Sequence, residues 1–78
     1  MSLTLTEAKI RLLEELEDNP KHGYILAKDL GVRGSTIYEH LNQLNDHGYI
    51  KSEENGRRRV YSLTRKGELI LEAERTGE

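Results

Sequence analysis

The sequence predicts a mainly α-helical domain with one small β-hairpin, in the order helix, helix, helix, hairpin, helix. Three observations carry that prediction. Apolar residues recur at helical spacing in four separate stretches. The dipeptide Asn55-Gly56 stands between two short runs of strand-like sequence, the strongest local hairpin signal. Glycine or proline punctuates the boundaries between these stretches. A chain of 78 residues makes one small domain, expected to occupy residues 1–78. With no cysteine it must rely on tight helix packing or on association with a second copy.

The first helix is expected to start near Thr4 or Thr6, because Thr4 and Glu7 have the spacing of a capping box. Leu5, Ala8, Leu12, Leu13 and Leu16 form its inner stripe, with Glu14, Glu15 and Glu17 outside. Asp18-Asn19-Pro20 ends it, since a residue before proline avoids helical angles. A short second helix runs from about Gly23 to Leu30 on Ile25, Leu26 and Leu30, and Gly31 stops it. His22 and Tyr24 are expected to brace its start. The third helix spans 35–47, with Ser35 as its N-cap and Ile37, Leu41 and Leu44 at i, i+4, i+7. Ser35, Thr36, Glu39, His40, Asn42 and Gln43 occupy the opposite side. Gly48 supplies the left-handed residue that ends it.

Asn55 and Gly56 at the centre of a type I′ turn pair Glu54 with Arg57, Glu53 with Arg58 and Ser52 with Arg59. The same register sets Lys51 against Val60 and Ile50 against Tyr61. Two of these pairs join opposite charges, worth about 0.2–1 kcal/mol each. Ile50, Tyr61 and Leu63 share one face and close over the core, and Tyr49 packs with the hairpin. Thr64 caps a final helix reaching about Arg75, with Leu69, Ile70, Leu71 and Ala73 as its apolar part. Thr76-Gly77-Glu78 reads as a frayed end.

The spacing through residues 26–37 points to function. Ala27, four residues before Gly31, lets two helices approach closely. Gly31 permits the sharp turn, and Ile37, six residues later, anchors the next helix in the angle between them. Leu26, Leu30 and Val32 fill the remaining buried positions. Such a helix-turn-helix presents the third helix outward, where its N-terminal residues enter a DNA major groove. One departure is His40, where the older pattern has an apolar residue; Leu41 takes that role. With the hairpin following, the architecture reads as a winged helix-turn-helix.

Charge sharpens the picture. The net charge of -2 argues against a nucleic-acid partner when taken as a total. Its distribution argues the reverse. Residues 1–20 and 68–78 each carry -3, whereas residues 55–67 carry Arg57, Arg58, Arg59, Arg65 and Lys66 with no acid, a local +5. That asymmetry is the mark of a phosphate-binding patch. Thr36, Tyr38, Glu39, Asn42 and Gln43 are candidate base readers, since amides pair with adenine edges and a carboxylate accepts from cytosine. Ser35, Arg33 and Lys28, together with Lys21, are candidate phosphate contacts beside the second helix.

The sequence resembles the PadR family of winged-helix transcription regulators. The similarity rests on Pro20-Lys21-His22-Gly23-Tyr24, on Ser35-Thr36-Ile37-Tyr38, and on Leu44 through His47-Gly48-Tyr49-Ile50. It continues through Gly56-Arg57-Arg58-Arg59-Val60-Tyr61-Ser62-Leu63-Thr64-Arg65-Lys66-Gly67, so that it covers roughly residues 8–72. Parts of these motifs are shared with MarR-like and ArsR-like proteins; the Pro-x-His-Gly-Tyr combination points to PadR. The resemblance implies a sequence-specific regulator of double-stranded DNA. In that role Arg57, Arg58 and Arg59, within a wing at 53–61, hold phosphates or enter the minor groove. The chain is expected to be a short form lacking the C-terminal helical region that many members use for dimerisation and effector response. Any small-molecule effector is therefore unknown.

Leu69, Ile70 and Leu71 are consecutive, and one helix face cannot bury all three. Ile10, Leu13 and Leu3 raise the same question on the first helix. Exposed apolar residues of this kind predict a homodimer joined through the first and last helices, with two recognition helices on successive turns of a palindromic site. A repressor is the expected form of regulator. The rival is a winged-helix protein–protein interaction module, which the acidic composition favours. Enzyme chemistry is not expected: no phosphate loop, carboxylate dyad or triad pattern occurs, and Ser35 has no base beside it. His22, His40 and His47, without cysteine, do not suggest a metal site, and no cofactor is expected. No apolar run is long enough for a membrane span or export signal, so a cytoplasmic protein is expected.

Overall fold

The structure, a computed structural model, describes residues 5–76. Its first helix, α1 (Glu7–Asp18), starts where Thr6 accepts a bond from the Lys9 N–H at 3.4 Å, so Thr6 is the cap. Thr4 lies outside the described residues. Leu12, Leu13 and Leu16 turn inward, and Asn19, extended before Pro20, ends the helix.

A two-residue strand, β1 (Lys21–His22), leads directly into α2 (Gly23–Leu30). So short a strand carries no alternation and leaves no sign in the sequence. Gly31 adopts φ 68°, donating to the Lys28 carbonyl at 3.3 Å, while Val32 N–H reaches the Ala27 carbonyl at 3.0 Å. Those two bonds make a Schellman ending, which needs a left-handed residue at the glycine position.

The turn delivers the chain into α3 (Gly34–Asp46) earlier than the sequence suggests. Ile37 N–H bonds to the Arg33 carbonyl at 2.9 Å, which makes Arg33 the cap residue. Ser35 therefore lies inside the first turn, exposed, and does not cap. At the other end Gly48 has φ 76°, with Tyr49 N–H on the Leu44 carbonyl at 3.0 Å.

The hairpin consists of β2 (Ile50–Asn55) and β3 (Arg58–Leu63). Its two turn residues are Gly56 and Arg57, not Asn55 and Gly56. Gly56 has φ 66° and, among the described residues, none other than glycine has positive φ, the sign pattern of a type II′ turn rather than type I′. The register therefore moves by two residues: Asn55 faces Arg58, Glu54 faces Arg59, Glu53 faces Val60 and Ile50 faces Leu63. An even shift preserves the side each residue points to. Tyr61 and Ile50 are buried as expected, but only one opposite-charge pair survives, Glu54 with Arg59. β1 pairs with β3 through Lys21↔Tyr61 and His22↔Val60, giving a three-stranded antiparallel sheet in the order β1-β3-β2.

The last helix is α4 (Arg65–Thr76), capped by Thr64, whose hydroxyl accepts from Gly67 N–H at 3.1 Å. Thr76 closes it, while Gly77 and Glu78 of the expected frayed end lie outside the described residues. The core gathers Leu12, Leu13 and Leu16 from α1, Leu26 from α2, and Ile37, Leu41 and Leu44 from α3. Tyr49, Ile50, Tyr61 and Leu71 complete it. Leu41 is fully buried and His40 only half-buried, so the shift read from the helix-turn-helix pattern stands.

Burial corrects the expected dimer patch. Leu13 and Leu71 have no exposed surface, because each fills the chain's own core, and neither is free for a partner. Ile10 and Ile70 are half-buried at the core's edge and Leu69 is 50% exposed. Leu3 lies outside the described residues. Among the described residues no helix is long and apolar enough to cross a membrane.

Candidate nucleic-acid interface

The outward face of α3 carries Ser35, Tyr38, Glu39 and Asn42 in the open, with Thr36 and Gln43 half-buried at its flank. All five candidate base readers thus share the helix surface away from Ile37, Leu41 and Leu44. Tyr38 is held from behind. A Cβ built on Gly23 would lie 2.9 Å from Tyr38 Cε1, so the ring rests on bare backbone at the start of α2. That close approach gives the glycine of the Pro-x-His-Gly-Tyr run a physical purpose.

Beside Tyr38 stands the wing. Arg57, Arg58 and Arg59 are all exposed, and they line a groove of about 490 Å³ together with His22, Gly23, Tyr24, Ile25 and Tyr38. Arg59 is partly occupied by Glu54 at 3.5 Å, an exposed pair of little energetic weight. Glu53 faces Val60 and does not neutralise an arginine across the strands. Arg57 and Arg58 have no ion pair among the described residues. Beneath them burial pushes the Tyr61 phenol above its usual range, against the opposing pull of Arg59.

The basic segment read as one patch divides in two. Arg65 pairs with Glu68 at 3.3 Å along α4. Lys66 donates to the His47 carbonyl at 2.7 Å and sits 5.1 Å from the centre of the Tyr49 ring, on which His47 also stacks. With Thr64 donating to the Gly48 carbonyl at 2.6 Å, Lys66 ties the last carbonyls of α3 to the start of α4. Lys66 thus serves the scaffold that holds α3, and Arg65 is paired within α4, so neither is part of the wing.

Among the candidate phosphate contacts, Lys28 and Arg33 are exposed and have no ion pair among the described residues. Lys21 is different. Its ammonium is part-buried against Glu15, which holds its pKa above the usual lysine range and commits it to joining α1 to β1. It is not a free clamp for DNA. Tyr24 departs from the sequence-based expectation: it does not brace α2 but stands 70% exposed. His22 is half-buried, with a ring Nδ1 that has no hydrogen-bond partner. The only signal for Tyr24 is its place next to Gly23 at the start of α2, a position whose exposure depends on the strand before it.

An exposed polar helix that follows a tight glycine turn, with a basic hairpin beside it, is the arrangement of a winged-helix protein. Residues 12–73 match the transcriptional regulator PadR-like family, and the chain belongs to that family, one of regulators rather than enzymes. No curated protein matches the sequence. Among solved structures, the chain is similar to a mutant of Lactococcus lactis ZitR in complex with DNA. That match has 22% identity and a TM-score of 0.83, over 96% of this chain and 53% of that one. The transcriptional regulator BldR from Sulfolobus solfataricus matches at 21% identity and a TM-score of 0.83, over 86% of this chain and 50% of that one. The regulator Tm0710 from Thermotoga maritima matches at 30% identity and a TM-score of 0.81, again over 86% and 50%. The chain spans about half the length of these proteins.

Proposed function

We propose that the chain is a sequence-specific, double-stranded-DNA-binding regulator that acts as a dimeric repressor by occupying an operator. The observation that carries this reading is the groove shared by Tyr38 of α3 and Arg57, Arg58 and Arg59 of the wing. It joins the polar helix face and the basic hairpin into one surface. In this reading α3 lies in the major groove, with Thr36, Tyr38, Glu39, Asn42 and Gln43 facing base edges. Ser35, Arg33 and Lys28 hold phosphates beside it, and the wing arginines lie on the backbone or in the minor groove. The DNA complex of the ZitR neighbour supports DNA as the partner of this fold.

Dimerisation runs through α1 and α4 in the same proposal, using Ile10, Leu69 and Ile70. Support comes from the half-exposed Leu69 and from Arg75, which binds Glu17 at 2.7 Å and Glu14 at 3.4 Å. Those pairs run from α4 to α1, so the two helices present one continuous face.

The test is a gel shift with random duplex at low salt, followed by selection of bound genomic fragments. A retarded band that fades as salt rises is the expected result. No shift at low salt would refute DNA binding and leave the protein-interaction module.

A further inference from the structure

We propose that Tyr24 is a DNA-contacting residue, its hydroxyl donating to a backbone phosphate where one strand crosses from the wing to the start of α3. The inference rests on the DNA-binding reading and goes beyond it, since Tyr24 belongs neither to the recognition helix nor to the basic patch. Three observations carry it.

Tyr24 is a large aromatic side chain left 70% exposed, although it follows a glycine that packs tightly against Tyr38. An exposed ring of this size, in contrast to Tyr61, which is buried, is not serving the core. Second, Tyr24 and Tyr38 together line two adjacent grooves. On one side they meet Arg57, Arg58 and Arg59; on the other they meet Lys28 and Gly34. The two tyrosines are therefore the wall between the arginine-lined groove and a mostly apolar one that carries a single cation, Lys28. Third, the cations on both sides are available: Arg57, Arg58 and Lys28 form no ion pair among the described residues, whereas Lys21 is bound to Glu15 and Lys66 to the end of α3.

A DNA strand is a regular series of phosphates, and a strip that places cations on both sides of a neutral donor matches that chemistry. The arginines take phosphates at the wing, Lys28 takes them near the turn, and the phenol serves the one between. A phenol contributes a directed hydrogen bond without charge. This distinguishes it from its neighbours in a measurable way, because only charged contacts release counterions and set the salt dependence.

The experiment measures anisotropy of a labelled duplex, random and selected, across a salt series, for the wild type, Tyr24→Phe and Arg58→Ala. Tyr24→Phe keeps the ring and removes only the hydroxyl. It is expected to weaken binding about tenfold on both duplexes, the size of a hydrogen bond to a charged group. The slope of log affinity against log salt stays at the wild-type value. Arg58→Ala is expected to weaken binding and lower that slope by about one. Thermal melting of Tyr24→Phe should match the wild type, since the side chain stands in solvent. Binding of Tyr24→Phe within twofold of the wild type, while Arg58→Ala weakens it, overturns the role of Tyr24 and leaves the DNA-binding reading intact. A loss confined to the selected duplex overturns the phosphate contact in favour of base reading. Absence of binding by the wild type overturns both.

Discussion

The ring of Tyr38 rests on the backbone of Gly23, so that a methyl group at position 23 would meet Cε1 at 2.9 Å and the hydroxyl oxygen at 3.0 Å. The contact joins the first turn of α2 to the exposed face of α3 and sets where the tyrosine stands in the candidate interface. Tyr38 is 45% exposed, so its ring has room to swing outward.

Gly23→Ala is therefore expected to separate stability from binding. Alanine at this first helical position gains less than the roughly 1 kcal/mol of a helix interior, and the exposed ring can move aside at similarly small cost. The denaturation midpoint should change little. Affinity for duplex DNA should fall about fivefold, or about 1 kcal/mol, because Tyr38 is displaced. Anisotropy and urea denaturation on the same variant check both halves.

Gly67→Ala should behave in the opposite way. A methyl group there would run into the Tyr49 carbonyl and come within 2.7 Å of Leu63 Cδ1. The carbonyl is main chain and cannot step aside, and it already accepts from Thr64 N–H at 3.1 Å. We expect a loss of about 3 kcal/mol, at the upper end for overpacking, measured by urea denaturation.

Replacing Arg57, Arg58 and Arg59 together by Ala should weaken binding to all duplexes alike and lower the salt slope by about three. Asn42→Ala with Gln43→Ala should instead cost about 1–3 kcal/mol on the selected sequence and little on random DNA. Anisotropy against both duplexes separates the two outcomes. Equal loss on random DNA from the Asn42 and Gln43 pair would rule out base reading.

The ion pair between α1 and α4 gives a pH dependence with a defined sign. Arg75, hydrogen-bonded to Glu17, holds the Glu17 carboxyl below its usual range. A folded-state value below the unfolded one adds stability above the unfolded pKa, and that stability disappears as pH falls through the folded value. Urea midpoints of the wild type and Glu17→Gln should differ at pH 7 and converge in acid. A constant difference across that range would mean the ion pair contributes nothing.

Sedimentation at micromolar concentration is expected to show twice the 9.0 kDa chain mass. Leu69→Glu with Ile70→Glu should return a 9.0 kDa species, as charge enters the proposed contact. A monomer in the wild type would remove the dimer from the proposal.

Much of this molecule is legible in the sequence. The four helices, their inward stripes and the glycine stops at Gly31 and Gly48 are local matters of periodicity and backbone freedom, written into neighbouring residues. Even with the hairpin turn displaced, Ile50 and Tyr61 stay on the buried side, because an even slip keeps the alternation. What only the tertiary structure decided is which residues distant in sequence meet. It took Lys21 to Glu15 and Lys66 to the end of α3, removing both from the basic surface. It also buried Leu13 and Leu71 and left Leu69 out, and it stood Tyr24 beside the wing. Local pattern tells each residue which way to face, but a side chain's charge, burial and partners depend on the element packed opposite.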